Sequence, residues 1–588
     1  MESWPETSPE YRIDGESVRK NITAIRALMA EHDLDGLVIN SADRYQNEYT
    51  PLEDNHRYEL SGFTGSTALL LVPANDRVKL YVDGRYHLQA DQEVDAELIE
   101  VVKVQFSVSV AGALFCDLKG MGRVGYEGDR ITIKFAQSIE ETVDTSIVFS
   151  AGEVGDALGR PPLLQSKPIQ YIPDGIAGCT TKEKLATVFE DIPNPENTAL
   201  LLTALDDIAW LADARGYHFA YQSSFAAVAV ARPGRIDIAV DPDVKETTID
   251  RELIRFTTDD PSELLCRSDA QSITTLQYDP NQVTKATLES IMSSRPDLEL
   301  RPSASPVVGA RALKNASEIR HMEASNARSA RAINNTIRWV RQQFAAGEPV
   351  TELGYYEAAN GFYEAEGARD LSFHTIAAVG PNTAIIHFSN PSGEVTADAS
   401  DFMLLDSGAL YEGGMATDIT RCFVAGGKLA KPTDRQKKIY TLVLKGVLRG
   451  MMAVFPTGTR GSFIDSVVRA PLYDAGFNFA HGTGHGVGIH VHEPGVGISP
   501  SYQGIIRPGH VCSVEPGIYI EGFGGVRHEN VVVFEEHPDK PGFIRSRPLN
   551  FVGFDTYLLD ASLLNEQELG FFTSYMDECH KRGTATFE

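Results

Sequence analysis

Between residues 18 and 32, Ile22, Ile25, Leu28 and Met29 recur three or four positions apart, the spacing of one helix face. Short apolar runs follow at LDGLVIN, STALLLV and VKLYVDG, each of strand length. Helix and strand periods mixed in this way predict an α/β block. From about residue 152 to 173 the periodicity stops in a passage rich in proline and glycine, which reads as a linker.

A second block repeats the arrangement. TALLLTALDDIAWL takes the place of LDGLVINSADRYQNEY, an apolar strand followed by aspartate-bearing turn chemistry. FAAVAVA and IDIAVDP then stand where STALLLV and LYVDG stood. A duplicated unit and general α/β patterning would both produce this echo. RPSASPVVGARALKN, starting at Arg301, reads as a second linker. Beyond it Asn315 is placed to cap a long helix, with Glu318 as its reciprocal partner. Ile319, Met322, Ala330, Ile333, Ile337, Val340 and Phe344 make the apolar stripe of that helix. The expected blocks are 1–160, 161–311 and 312–588.

Composition narrows the class. At roughly 100–200 residues per domain, 588 residues allow several domains. A content of 42% hydrophobic and 23% charged residues is that of a folded soluble protein. The formal charge of −28 argues against a nucleic-acid partner, because a phosphate backbone would repel it. The six cysteines are scattered without a CxxC pair, so neither a zinc ribbon nor a disulfide framework is suggested. MESWPETSPEYRIDG offers no basic start and no apolar stretch for a signal peptide. No apolar run approaches the roughly 18 residues of a membrane helix. A cytoplasmic, reducing location without membrane contact is the expectation.

The last block carries the chemistry. Asp406 ends the apolar run DFMLL and Asp418 begins DITRCFV, with Gly413 and Gly414 between them as turn residues. His485 lies in the glycine-dense GTGHGVGIH, Glu515 ends HVCSV before Pro516, and Glu529 opens NVVVF. Each alone is more often a turn, cap or strand-edge residue, but a carboxylate among apolar strands usually needs a cation. Four carboxylates and one imidazole suit two adjacent divalent ions, with Mn²⁺, Co²⁺, Fe²⁺ or Zn²⁺ favoured over a thiolate-loving metal. Two such ions can acidify a shared water, which points to hydrolysis. No HExxH, GxSxG or P-loop occurs, and GTGHGVG departs from GxGxxG at Val487.

These phrases resemble aminopeptidase P, the Xaa-Pro aminopeptidases of the pita-bread metallopeptidase family. The resemblance runs through SADRYQNEY, LSGFTGS, VDGRYHLQA, LDDIAWLADARG and AAVGPNTAIIHF. It continues through LLDSGALY, ATDITR, HGTGHGVGIHVHE and VEPGIYIEGFGGVRHENVVV. It implies an overall α/β and α+β architecture: two creatinase-like N-terminal α/β domains, then a pita-bread catalytic domain. It also implies hydrolysis of peptides with proline second, by a hydroxide shared between two divalent ions, Mn²⁺ first among them. Asp406 and Asp418 would hold one ion, His485 and Glu515 would complete the other, and Asp418 and Glu529 would bridge. His387 and His492 would contact substrate, the first steadying the scissile carbonyl and the second assisting proton transfer. Arg85 would contact substrate from the first domain. A cytosolic homodimer is implied as well. A prolidase acting on Xaa-Pro dipeptides and a metal-free peptide-binding relative are the alternatives.

Several features depart from the family pattern, among them GIHVHE, which is shorter than the equivalent loop in animal relatives and is expected to reshape the pocket rim. The Asp406 to Asp418 interval is one residue longer, which a turn can absorb but a strand cannot without reversing a side chain. His528 replaces an aliphatic residue and is expected to face outward. His490 offers a second candidate proton carrier beside His492.

Overall fold

The computed structural model describes residues 13–105, 108–159, 167–240 and 253–585. The chain forms two compact units, the first built from residues before 311 and the second mainly from 311–588.

The first unit holds two six-stranded sheets. Strands β1 (Gly36–Asn40), β2 (Leu69–Pro73), β3 (Val78–Val82), β4 (Ile99–Lys103), β5 (Arg123–Glu127) and β6 (Thr145–Phe149) stand in the order β4-β3-β2-β1-β5-β6. Strands β7 (Thr198–Leu202), β8 (Ala227–Arg232), β9 (Arg235–Val240), β10 (Ile254–Thr257), β11 (Thr275–Tyr278) and β12 (Glu299–Pro302) repeat it as β10-β9-β8-β7-β11-β12. The parallel and antiparallel senses also match, pair for pair. The echo between STALLLV and FAAVAVA is therefore β2 against β8, equivalent strands of a duplicated fold. The end of IDIAVDP lies outside the described residues.

Helix α1 (Gly15–Glu31) turns Val18, Ile22, Ile25 and Met29 onto the first sheet, as the spacing predicts. The two halves of the unit meet through equivalent loops. Helices α2 (Ile133–Glu140) and α4 (Lys285–Ser294) are capped by Thr132 and Thr284, which form an antiparallel bridge. Ile133 N–H donates to Val283 O and Lys285 N–H to Ile131 O, both at 3.0 Å. The contact is two-fold in character, as between identical subunits.

Both predicted linkers need correction. The first overlaps α3 (Ala151–Leu158), which a Ser150–Glu153 capping box starts and Gly159 ends in the left-handed region. Its glycines did not break the helix because the caps satisfy both ends. Of the remainder, residues 160–166 lie outside the described residues. In the second, Arg301 and Pro302 belong to β12, and Pro306–Ala312 is helical.

In the second unit Asn315 accepts from Ser317 and Glu318 N–H, and α5 (Ala316–Ala346) follows. Met322, Ala330, Ile333, Ile337 and Val340 of its stripe are buried, while Ile319 and Phe344 at its ends are half-buried. A three-stranded sheet comprises β13 (Ile376–Val379), β14 (Phe402–Ser407) and β15 (Ile419–Val424). The larger sheet comprises β16 (Val454–Pro456), β17 (Gly484–Gly486), β18 (Glu493–Ile498), β19 (Val511–Val514), β20 (Asn530–Glu536) and β21 (Phe543–Pro548). Helices α6 (Asp434–Met451) and α7 (Gly461–Asp474) pack Val443, Leu444, Val447, Val468 and Leu472 against Cys512, Val514, Val532 and Phe534. Each such aliphatic side chain contributes about 1.5–3 kcal/mol, so the sheet bearing the acidic residues rests on a well-filled core.

Candidate metal centre

Strands β14 and β15 pair without slip from Phe402↔Val424 to Ser407↔Ile419, which puts Asp406 opposite Thr420. Asp418, two residues before Thr420, lies toward the same face by strand alternation. The interval between the two aspartates is thus spanned by an excursion that leaves the strand pairing unslipped. There Gly414 N–H donates to Tyr411 O at 2.9 Å, and Gly413 adopts φ +87°. Thr417 Oγ1 meets Ser329 Oγ at 2.7 Å and accepts Ala409 N–H at 2.9 Å, pinning the residue before Asp418.

The other three candidates come from the larger sheet. Glu515 follows Val514 and Glu529 precedes its paired residue Asn530, so both glutamates emerge at the same end of adjacent strands. His485 N–H donates to Ser513 Oγ at 3.0 Å, which sets the imidazole on the side of Glu515. Its Nδ1 lies 3.0 Å from Gly486 O, leaving Nε2 as the atom for a ligand.

Asp418, His485 and Glu529 offer ligand atoms that all lie within 4.8 Å of one another. His485 Nε2 is 3.5 Å from Asp418 Oδ2 and 3.3 Å from Glu515 Oε1. Thr420 Oγ1 donates to Glu529 Oε2 at 2.8 Å. Asp406 is next to this group but held differently: its Oδ2 accepts from Arg527 Nη2 at 2.5 Å, while Oδ1 is buried with no hydrogen-bond partner. A buried carboxylate oxygen without a donor, facing three other acids, fits a cation.

The electrostatics agree. Burial, and then the charges of Glu529, Asp406 and Glu515, push Asp418 well above the usual carboxylate range. Burial with Glu515 and Asp406 pushes Glu529 up to about 8. Burial likewise raises Asp406 despite Arg527. Burial opposes charge on Glu515, but the hydrogen bond and charge of His485 outweigh it and bring Glu515 down to about 2. Burial would lower His485, yet its hydrogen bond to Glu515 and the nearby acids raise it to about 9. The metal-free pocket thus keeps protons where a cation would otherwise sit.

A pH dependence follows. The raised His485 stabilises the metal-free fold fully below its usual 6.5, and that contribution is lost as pH rises through about 9. Glu529 favours folding only while protonated, fully below 4.5, and this is lost as pH rises through about 8. Glu515 works oppositely, stabilising above 4.5 and losing its effect as pH falls through about 2. The metal-free protein is therefore expected to lose stability from pH 5 to 9. Divalent-ion binding at pH 7 is expected to release protons and to strengthen toward pH 9. Calorimetry in buffers of different ionisation enthalpy measures this, and binding with no proton release would contradict it.

The histidines separate clearly. The His492 ring lies 4.3 Å from that of His485, edge to face. His490 Nδ1 accepts the His492 N–H at 3.2 Å, so that nitrogen is engaged in shaping the loop. His387 follows Ile386, whose carbonyl accepts from Arg527 Nη2 at 3.3 Å. His528 does not face outward. It is fully buried between Tyr440 and Phe554, 4.5 and 5.3 Å away, and burial holds it well below 6.5, hence neutral. Alternation from Glu529 sends it into the core on the opposite side. Arg85 belongs to the first unit, where Asp83 takes its Nε and Nη2 at 2.9 and 2.7 Å.

Arg527 and His481 were not singled out in the sequence. Arg527 is fully buried and touches Asp406, Ile386 O, Thr420 Oγ1 and, at 2.9 Å, Tyr519 OH. Its place two residues before Glu529, on the same strand face, was the available signal. His481 Nε2 lies 2.9 Å from Tyr519 OH and its Nδ1 3.9 Å from Glu515 Oε2.

The sequence pattern of metallopeptidase family M24 matches residues 320–536. The creatinase/prolidase N-terminal domain matches twice, over 21–158 and 159–318. A probable Xaa-Pro aminopeptidase P of Aspergillus fumigatus is 31% identical, over 98% of this chain and 92% of that protein. The chain belongs to metallopeptidase family M24. Its likeness to the Xaa-Pro aminopeptidase P members spans every domain, and a probable Xaa-Pro aminopeptidase P of Penicillium rubens is also 31% identical, over 95% and 94% of the two chains. Among solved structures, an X-prolyl aminopeptidase from Caenorhabditis elegans, described as cytosolic with a di-nuclear active site, superposes with a TM-score of 0.85 at 25% identity. That match covers 97% of each chain. An Xaa-Pro dipeptidase from Bacillus anthracis shares the fold over 64% of this chain, with a TM-score of 0.52 at 24% identity. No helix among the described residues is long and apolar enough to cross a membrane.

Proposed function

We propose that this enzyme releases the N-terminal residue from peptides whose second residue is proline. The observation that carries this reading is the convergence of Asp418, His485 and Glu529 within 4.8 Å, with Glu515 and Asp406 beside them, in a chain 31% identical to Xaa-Pro aminopeptidases P over 98% of its length. The donor set fits two divalent ions, held by Asp406, Asp418, His485, Glu515 and Glu529, with manganese the first choice for oxygen-rich ligation. When bound, the ions supply Lewis acidity and a water acidified enough to attack at neutral pH.

The protein's own groups do the rest. A carboxylate oxygen of Glu515 or Glu529 takes the proton that the attacking water loses. His387 donates to the carbonyl oxygen as negative charge develops there. His492, next to His485, delivers a proton to the ring nitrogen of the departing proline, a secondary amine that leaves poorly as an anion. Arg527 keeps Asp406 in place through its Nη2 and the carbonyl of Ile386. Arg85 is the proposed substrate contact from the first domain, with domains at 1–160, 161–311 and 312–588.

The proposal includes a cytoplasmic homodimer. Phe463, Val467 and Tyr473 of α7, between 49% and 64% exposed, present an apolar face consistent with a partner. Sedimentation at micromolar concentration giving the mass of one chain would refute it. The main rival is an Xaa-Pro dipeptidase, with which the enzyme would share ligands. Matched Xaa-Pro and Xaa-Pro-Xaa peptides separate the two. Faster cleavage of the longer peptides is expected, and activity confined to dipeptides would overturn the assignment.

A further inference from the structure

Gly486 pairs with Glu493 across β17 and β18, and residues 487–492 between them form the loop that carries His490 and His492. A carboxylate lies under this loop. Glu493 Oε2 accepts from Ile489 N–H at 3.2 Å and from Arg311 Nη1 at 3.0 Å, and its Oε1 is paired with Lys314 Nζ. The side chains of Glu493, Arg311 and Lys314 are all 2% exposed or less. Lys314 is itself fixed, since its Nζ donates to Arg311 O at 2.7 Å and its N–H to Gly509 O at 2.9 Å.

This cluster explains a glycine. A Cβ at Gly488 would stand 1.9 Å from Glu493 Oε2, so the missing side chain leaves the space that the carboxylate fills. Gly488 O also accepts from Ala416 N–H at 2.7 Å, joining the loop to the excursion that carries Asp418. His492 immediately precedes Glu493 and is half-buried, its ring 4.3 Å from that of His485, so anchoring Glu493 fixes the backbone from which that imidazole reaches the metal centre. Charge-assisted hydrogen bonds to two buried cations make that inward anchor strong.

We propose that Glu493, gripped by Arg311 and Lys314, is a positioning residue that holds His492 in register with the metal centre. The inference rests on the proton-donating role given to His492 above. Because the role proposed for His492 is to protonate the departing nitrogen, loosening the anchor is expected to act on kcat more than on KM or metal content. Misplacing a reacting group by about 1 Å costs on the order of 100-fold.

The test is Lys314→Met in the full-length, metal-loaded enzyme, with Lys314→Arg as its conservative counterpart. Lys314→Met is expected to lower kcat on an Xaa-Pro-Xaa peptide by about 10–100-fold with KM within about threefold. Amide exchange over residues 487–493 should quicken, and Lys314→Arg should restore most of both. If Lys314→Met does not fold, Gly488→Ala takes its place, because it displaces the carboxylate by contact while keeping all three charges. The proposal is overturned by kcat within about twofold of wild type, by unchanged exchange in the loop, or by equal losses in the Met and Arg variants. A wild-type enzyme inactive on every Xaa-Pro peptide would instead sink the proposed function, and loop exchange would still judge the anchor.

Discussion

Asp418→Ala and Glu529→Ala are each expected to lose bound metal and turnover together, with kcat/KM falling about 1,000-fold or more. Loss of the ions would remove several kcal/mol of transition-state stabilisation. Both residues are buried, and with His485 they offer ligand atoms within 4.8 Å of one another, so either change removes an oxygen from the centre of the donor set. The same change should not unfold the metal-free protein. In that state burial and the neighbouring carboxylates raise Asp418 and Glu529 toward neutrality, Glu529 to about 8. Removing one relieves an unfavourable burial of charge. The metal-free variants should therefore melt no lower than metal-free wild type at pH 7. Metal analysis, melting and peptide hydrolysis on one preparation distinguish loss of the site from loss of the fold, and full hydrolysis by a variant that holds no metal would refute the scheme.

His492→Ala is expected to act on a different step. Its ring is 4.3 Å from that of His485, and no direct contact to the carboxylates is needed for its role. General-acid assistance contributes about 10²–10⁴-fold, so kcat should drop by that order while the metal content stays at the wild-type value. The proline nitrogen needs this proton because it leaves as a secondary amine. Metal loss equal to the activity loss would place His492 among the ligands instead and contradict its assignment.

Much of this arrangement was legible in the sequence because the acidic residues mark strand boundaries. DFMLL-D and D-ITRCFV become β14 and β15, and the glycine pair between them makes the turn that brings Asp406 and Asp418 to one side. The duplicated topology was visible as β2 against β8 and β3 against β9, since those buried strands keep their apolar runs. The linkers misled because proline and glycine can be absorbed by good caps, as Ser150 and Glu153 show at α3. His528 lies on the side opposite to the expected one because strand alternation, which sets it away from Glu529 and into the core, outweighs the polarity of its ring. Arg527 and the Glu493 cluster could not be read as partners at all. Their contacts join residues more than 100 positions apart, such as Arg527 with Asp406 and Glu493 with Arg311. Sequence pattern reports local periodicity, whereas such pairs depend on how strands and loops assemble.

The most direct measurement is the metal content of purified enzyme after equilibration with Mn²⁺, read against hydrolysis of an Xaa-Pro-Xaa peptide on the same sample. Close to two ions per chain, with activity rising as the second ion binds, is the expected result. Full activity in protein stripped of divalent ions, or a chain that binds none, would contradict the account.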